Sequence, residues 1–192
     1  MILGITGGTG CGKTTLLRCI AELGGTVLDC DAIYHQLLQT DSAMLAAIES
    51  RFPGTVADGR LQRKKLGGIV FSDENALLEL NHITHGAVKK EVLRRLSPLP
   101  KLAAIDAIGL FEGELAPLCD ATVAVIAPTE DRVRRLMARD GISEEYARSR
   151  IAAQHPDSWF AEKCTHVLEN DGSEQAFREK CLAFLVRLGI MK

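Results

Sequence analysis

The sequence predicts an α/β fold, a three-layer sandwich with a central parallel sheet, a helical insertion and a helical lid. Three observations predict it. An apolar run, Ile2-Leu3-Gly4-Ile5-Thr6, leads through a glycine-rich stretch into Leu16-Leu17-Arg18-Cys19-Ile20 at helical spacing, which reads as strand, loop, helix. Leu102–Ile108 and Ala121–Ala127 are apolar runs without polar alternation, the pattern of parallel strands covered on both faces. Long tracts of helical pattern lie outside the strands, at about 32–97 and about 129–155.

The first element carries the chemistry. Gly7-Gly8-Thr9-Gly10-Cys11-Gly12-Lys13-Thr14-Thr15 fits G-x-x-x-x-G-K-[ST] in register from Gly7 to Thr14, the pattern of a phosphate-binding loop, so the fold is read as that of a P-loop NTPase. Glycines let successive backbone N–H groups turn inward as an anion nest. The helix that starts near Lys13 adds its positive end. Lys13 is expected on the β- and γ-phosphates, the Thr14 hydroxyl on Mg²⁺, and Thr15 near the α-phosphate. Cys11 sits close to a helix start and to Lys13, two features that lower a thiol pKa; the alternative is a small side chain turned away from the ligand.

Composition narrows the class. The chain has 192 residues, 46% hydrophobic, enough for one sizeable core with a small insertion or lid. A net charge of −2 speaks against holding nucleic acid by bulk charge. The start MILGITGG lacks a basic n-region and a long apolar run, and no stretch reaches the ~20 apolar residues that span a bilayer, so a cytoplasmic protein with no membrane partner is expected. Six cysteines form no C-x-x-C pair and are read as reduced, small apolar side chains.

The remaining elements follow in order. A short helix runs to Leu23 and stops at Gly24-Gly25. Thr26-Val27-Leu28 is a strand that runs into Asp29-Cys30-Asp31. In an extended segment the two carboxylates share a side, at the strand end where parallel sheets bind ligands. Asp31 is alternatively the cap of the helix that begins at Ala32. Residues 32 to 97 are mostly helical, with turns at 52–54 and 57–59 and a basic run at 63–65, and are expected to form a substrate subdomain. After the strands at 102–108 and 121–127, Thr129–Asp140 is a helix bearing Arg132, Arg134, Arg135 and Arg139, of which Arg135 and Arg139 share a face. Gly141 breaks it, Ser143 caps a second helix with Arg148, Arg150 and Gln154, and the pair reads as a lid that closes on phosphates. His166-Val167-Leu168 is a last short strand, and Ser173–Leu188 a closing helix.

Taken together these motifs resemble the dephospho-coenzyme A kinase family from end to end. The matching stretches are the loop Gly7–Thr15, the D-x-D of Asp29-Cys30-Asp31, the G-x-L-x-R of Gly59–Arg63 and the L-x-x-I-x-H of Leu80–His85. Further along they are Leu110-Phe111-Glu112, the R-x-x-x-R-D-G of Arg135–Gly141, the R-x-x-x-Q of Arg150–Gln154 and the N-x-G of Asn170–Gly172. The chain departs from the family at Gly86 and at Ile108-Gly109, where prolines are usual, at Cys164-Thr165, where the family has Ala-Asp, and at Cys11, where Ser is common.

The resemblance implies ATP- and Mg²⁺-dependent phosphorylation of the ribose 3′-hydroxyl of dephospho-coenzyme A. It implies Asp31 as general base, with Lys13 and Arg139 as the other catalytic groups. Gly8, Gly10, Cys11, Gly12, Lys13, Thr14, Thr15, Arg135, Arg150 and Asn170 would bind the nucleotide, Thr14 also the metal. Asp29, Asp31, Arg63, His85, Leu110 and Glu112 would bind the acceptor. Other readings stay open at the level of sequence. One is another small P-loop kinase acting on a nucleoside or nucleotide. A second is a GTPase-type switch, for which Asp106-Ala107-Ile108-Gly109 supplies D-x-x-G but no N-K-x-D follows. A third is nucleotide binding without turnover.

Overall fold

A computed structural model describes residues 1–191. Five strands form one sheet: β1 (Ile2–Thr6), β2 (Thr26–Asp29), β5 (Ala103–Asp106), β6 (Ala121–Ile126) and β7 (His166–Glu169). Their order is β2-β5-β1-β6-β7, with β1 in the centre. β1 runs parallel to β5 and to β6, and β6 parallel to β7. Leu3, Ile5, Ile105, Val123 and Val125 are fully buried, as expected of strands covered on both faces.

The chain divides into two compact units. The first comprises Met1–Val27, Pro100–Leu110 and the chain from Ala116 to the C-terminus. Its helices are α1 (Lys13–Glu22), α6 (Thr129–Asp140), α7 (Glu144–Ala152), α8 (Asp157–Lys163) and α9 (Glu174–Arg187). On α9, Phe177, Cys181, Phe184 and Leu185 recur at helical spacing and form one buried face. Together with Leu16 and Ile20 of α1 and Leu3 and Val123 of the sheet they make the main core. Each such side chain contributes about 1.5–3 kcal/mol by leaving water. Thr165, at a position where the resembling family has Asp, ties the approach to β7 onto β6. Its hydroxyl accepts from Thr122 N at 2.9 Å, and Thr165 N donates to the Thr122 hydroxyl at 2.9 Å.

The second unit comprises Leu28–Leu99 and Phe111–Leu115. It holds α2 (Cys30–Thr40), α3 (Ser42–Arg51), α4 (Arg63–Val70) and α5 (Glu74–Arg95), with a hairpin of β3 (Val56–Ala57) and β4 (Arg60–Leu61). The turn at 57–59 is therefore a hairpin turn. Asp58 and Gly59 both take positive φ, 50° and 69°, as a two-residue turn between right-twisted strands requires. Strands of two residues carry no periodic signal, so they were not expected. α5 is capped by Asp73, whose carboxylate accepts from Asn75 N and Ala76 N. Glu49 of α3 accepts from Gly54 N and Val56 N, both at 2.6 Å, and holds the hairpin to its helix.

Two further departures are local. α8 lies in a stretch, 157–163, given no element by the sequence, because seven residues behind Pro156 are too short for a periodic pattern. Asp29, not Asp31, caps α2: its carboxylate accepts from Ala32 N at 2.9 Å, and Asp31 falls in the first helical turn. The expectation that both carboxylates lie on one extended segment is thereby corrected.

Candidate active site

The loop after β1 is shaped by its glycines. Gly7 has φ 132°, and a Cβ there would lie 2.1 Å from the Val125 carbonyl oxygen, so the loop leaves the sheet where only glycine fits. Gly12, at φ 96°, is the N-cap of α1 and brings no side chain to its first N–H groups. Those N–H groups stay oriented as an anion site with the positive end of the helix behind them. Thr14, in the first turn, is exposed. Lys13 Nζ donates to Gly7 O at 2.9 Å, which folds the ammonium over the loop.

The loop carbonyls are held by side chains from outside it. Arg135 Nη1 donates to Gly10 O at 3.2 Å and to Cys11 O at 3.5 Å. Asn170 Nδ2 donates to Cys11 O at 2.8 Å, and Asn170 Oδ1 accepts from Arg135 Nη2 at 3.1 Å. Because a trans peptide is planar with N–H opposite C=O, a carbonyl turned outward sends the next N–H inward. Cys11 O therefore orients Gly12 N–H toward the phosphate side. The nest is not uniform: Thr9 N donates to Gln154 Oε1 at 2.8 Å, and Cys11 N to Gly8 O at 3.3 Å.

Arg135 and Asn170 were expected on the nucleotide. Both are on the carbonyl side of the loop, where a cation and an amide are the donors that buried carbonyls need. Asn170 is buried, and a Cβ on Gly12 would lie 2.2 Å from its Nδ2.

Arg139 and Arg150 converge on one carboxylate. Arg139 Nε donates to Asp140 Oδ1 at 2.7 Å, and Arg150 Nη1 to Asp140 Oδ2 at 2.7 Å. The hydrogen bond from Arg139, with that from Arg150, holds the Asp140 carboxyl at about 2. The two arginines thus join the end of α6 to α7 in a charge-paired cluster.

Cys11 is fully buried, and burial pushes its thiol pKa up despite the nearby Arg132 and Lys13 cations. Of the two readings of Cys11, the structure favours the small buried side chain over the lowered thiol, since the cost of desolvating a thiolate exceeds the local attraction. The remaining loop residues keep their places: Gly8 is buried, Gly10 and Thr15 are partly exposed at the mouth. All six cysteines are free thiols.

In the second unit, Asp31 is exposed on the first turn of α2. His85 and Glu112 come together on the wall of a 320 Å³ cavity with Asn81, His82, Lys89 and Glu114. Lys89 Nζ donates to Glu114 Oε2 at 2.7 Å, and this bond holds the Glu114 carboxyl below its usual range. Arg63 lines a different cavity, of 490 Å³, with Asp58 and Arg60. Asp31 is in the wall of neither. Leu110, expected on the acceptor, is fully buried in the first unit, within van der Waals reach of Gly4. Its side chain presents no surface in this structure. The sequence singled out no role for His82, Lys89 or Asp157, and took Arg132 only as one of the lid arginines; each is a polar residue on a helix, indistinguishable by pattern from a solvated one.

A parallel sheet with a glycine loop after its central strand, a lysine folded over that loop and a charge-paired helix pair beyond it define a P-loop kinase. The family model described as CoaE: Dephospho-CoA kinase matches residues 1–176. A dephospho-CoA kinase of Carboxydothermus hydrogenoformans is 35% identical over 190 residues, covering 96% of this chain and 92% of that one. A crystal structure of a Thermus thermophilus protein is 36% identical and superposes with a TM-score of 0.80, covering 98% of this chain and 97% of the other. The structure of dephospho-CoA kinase from Campylobacter jejuni is 25% identical with a TM-score of 0.70, covering 97% and 96%. The chain belongs to the dephospho-CoA kinase family.

Proposed function

We propose that the chain transfers the γ-phosphoryl group of ATP to the ribose 3′-hydroxyl of dephospho-coenzyme A, the final step of coenzyme A synthesis. Membership of the family carries this reading, and the loop geometry supports it from the side of the chemistry. The loop amides and the N-terminus of α1 offer donors to phosphate oxygens, and Lys13 offers a cation beside them.

Asp31 is assigned as the base that takes the hydroxyl proton as the new P–O bond forms. Its carboxylate is exposed and, unlike that of Asp29, is not engaged in capping α2. Arg63, His85 and Glu112 are assigned to the acceptor. Arg139 and Arg150 are assigned to the charge on the transferring group, exchanging Asp140 for phosphate.

Mg²⁺ fits the residues present. Thr14 has an exposed hydroxyl beside the loop, and no cluster of three or more ligating side chains occurs among the described residues, which suits a cation that keeps phosphate oxygens and waters as most of its ligands. Thr14 would hold it, and it would supply charge neutralisation between the β- and γ-phosphates.

Residues 1–192 are taken as one kinase domain, with an acceptor-binding insertion at about 32–97 and a lid at about 129–155. The protein is taken as cytoplasmic, without a nucleic-acid or membrane partner. No helix among the described residues is long and apolar enough to cross a membrane.

A coupled ADP-release assay tests the function. Turnover is expected with dephospho-coenzyme A and Mg·ATP, and far less with adenosine or AMP as acceptor. Equal or greater turnover with AMP would move the chain to the nucleotide kinases. Lys13→Ala is the control and is expected to abolish turnover.

A further inference from the structure

Arg132 is the one buried charged residue among those described, with 3% of its surface exposed. It sits in α6, and the sequence shows it only as one of four arginines there. A guanidinium out of water must be paired and hydrogen-bonded on all sides. Here its fork is spent on three partners. Nη1 donates to Asp157 Oδ1 at 3.0 Å, Nη2 to Gln154 Oε1 at 3.4 Å, and Nε to Thr9 O at 2.9 Å. Asp157 is fixed in turn, its Oδ2 accepting from Ala127 N at 3.4 Å.

Thr9 is gripped at both ends. Its N–H goes to Gln154 Oε1 and its carbonyl to Arg132. Planarity of the Thr9–Gly10 peptide then sends Gly10 N–H away from Arg132, toward the concave side of the loop. The fit is close: a Cβ on Gly8 would lie 2.1 Å from Arg132 Nη2, and one on Gly10 would lie 3.0 Å from the Arg132 carbonyl oxygen.

We propose that Arg132 is a positioning residue for the nucleotide: it sets the Thr9–Gly10 peptide so that Gly10 N–H is a phosphate donor, and it makes that setting depend on Gln154 and Asp157 behind it. The proposal rests on the reading that Gly7–Thr15 holds the phosphates of ATP. Arg132 itself does not touch the ligand. Two guanidinium groups, those of Arg132 and Arg135, thus turn the loop carbonyls outward, and Arg132 governs the segment that Arg135 does not reach.

The experiment compares wild type with Arg132→Gln, Arg132→Lys and Asp157→Asn. Affinity for ATP and ADP is read from the fluorescence of Trp159, the only tryptophan, which is stacked on His155 with ring centres 3.9 Å apart, two residues beyond Asp157. Steady-state constants are measured for both substrates, and thermal midpoints without ligand.

Arg132→Gln is expected to weaken ATP and ADP about tenfold, the loss of one charge-assisted bond. The KM for dephospho-coenzyme A should stay within about twofold and kcat at saturating ATP within about threefold, because neither the acceptor nor the reacting groups are touched. Arg132→Lys keeps the charge without the fork and should recover part of the loss. Asp157→Asn should weaken ATP in the same direction and less, and it serves as the test should Arg132→Gln fail to fold.

Unchanged ATP affinity in a folded Arg132→Gln or Asp157→Asn variant overturns the proposal. So does an equal loss toward ATP and dephospho-coenzyme A accompanied by a lower midpoint, which would make Arg132 a part of the core only. Failure of the wild type to bind ATP would reject the reading of the loop itself, a separate result.

Discussion

Asp29 and Asp31 are two residues apart and do different things. Asp29 accepts from Ala32 N and caps α2, a contribution of about 1 kcal/mol. Asp31 follows in the first turn with an exposed carboxylate. The two variants should therefore separate by readout. Asp31→Asn should lower kcat by about 10²-fold or more with ATP affinity and thermal midpoint little changed. Asp29→Ala should lower the midpoint and alter kcat far less. If the two effects appear in the opposite order, the base is Asp29 and the cap assignment explains only stability. Cys11 makes a second residue-level case. Because its thiol is buried and its pKa raised, iodoacetamide at pH 7 should modify it slowly, and ATP should make no difference to inactivation. Rapid inactivation that ATP prevents and Cys11→Ser abolishes would show the thiol to be exposed and ionised.

At the scale of elements, ionic hydrogen bonds join the helices more than isolated pairs would. Glu91 of α5 accepts from Arg94 Nε at 2.7 Å and from Arg95 Nε at 2.8 Å, and Arg95 Nη2 donates on to Gln36 of α2 at 2.7 Å. The bond from Arg94, followed by that from Arg95, lowers the Glu91 carboxyl from 4.5 to about 2. A carboxyl whose folded pKa is depressed stabilises the fold above its unfolded pKa and loses that contribution as pH falls toward the folded one. Arg94 is largely exposed, so solvent screens the pair and the contribution is small. Urea unfolding of wild type and Glu91→Gln should differ most at pH 7, and the gap should close between pH 4.5 and pH 2. A gap that widens on acidification would mean that Glu91 is not ionised in the folded state.

Over the whole molecule, the two compact units carry different sets of candidate groups. The glycine loop, α6 and α7 are in the first, and Asp31, Arg63, His85 and Glu112 in the second. Hydrogen exchange resolves such a division, because amides that a ligand holds open less often. ATP alone should slow exchange chiefly over residues 7–16 and 129–155. Dephospho-coenzyme A alone should slow it chiefly within 28–99 and 111–115. Protection by ATP confined to the second unit would contradict the assignment of the loop.

Much of this was legible in the amino-acid sequence, for physical reasons that are local. The glycine loop announces itself because Gly7 and Gly12 occupy backbone positions that side chains exclude, and because Lys13 and Thr14 must follow at the helix start. The buried strands announce themselves because a sheet covered on both faces needs unbroken apolar runs such as Ala121–Ile126. The order of these motifs, with D-x-D and the paired arginine helices, carried the family. What the sequence by itself left undetermined depends on which side chain meets which backbone atom across long chain separations. Arg135 and Asn170 looked like ligand groups and hold carbonyls of the loop. Leu110 looked like an acceptor contact and is core. Of the two carboxylates, Asp31 was the one offered as an alternative cap, and Asp29 is the cap, because the helix begins at Cys30, two residues before Ala32. Arg132 was one of four arginines on a helix, and only the tertiary structure buried it beneath Thr9, 123 residues away along the chain, where its partners decide what its charge does.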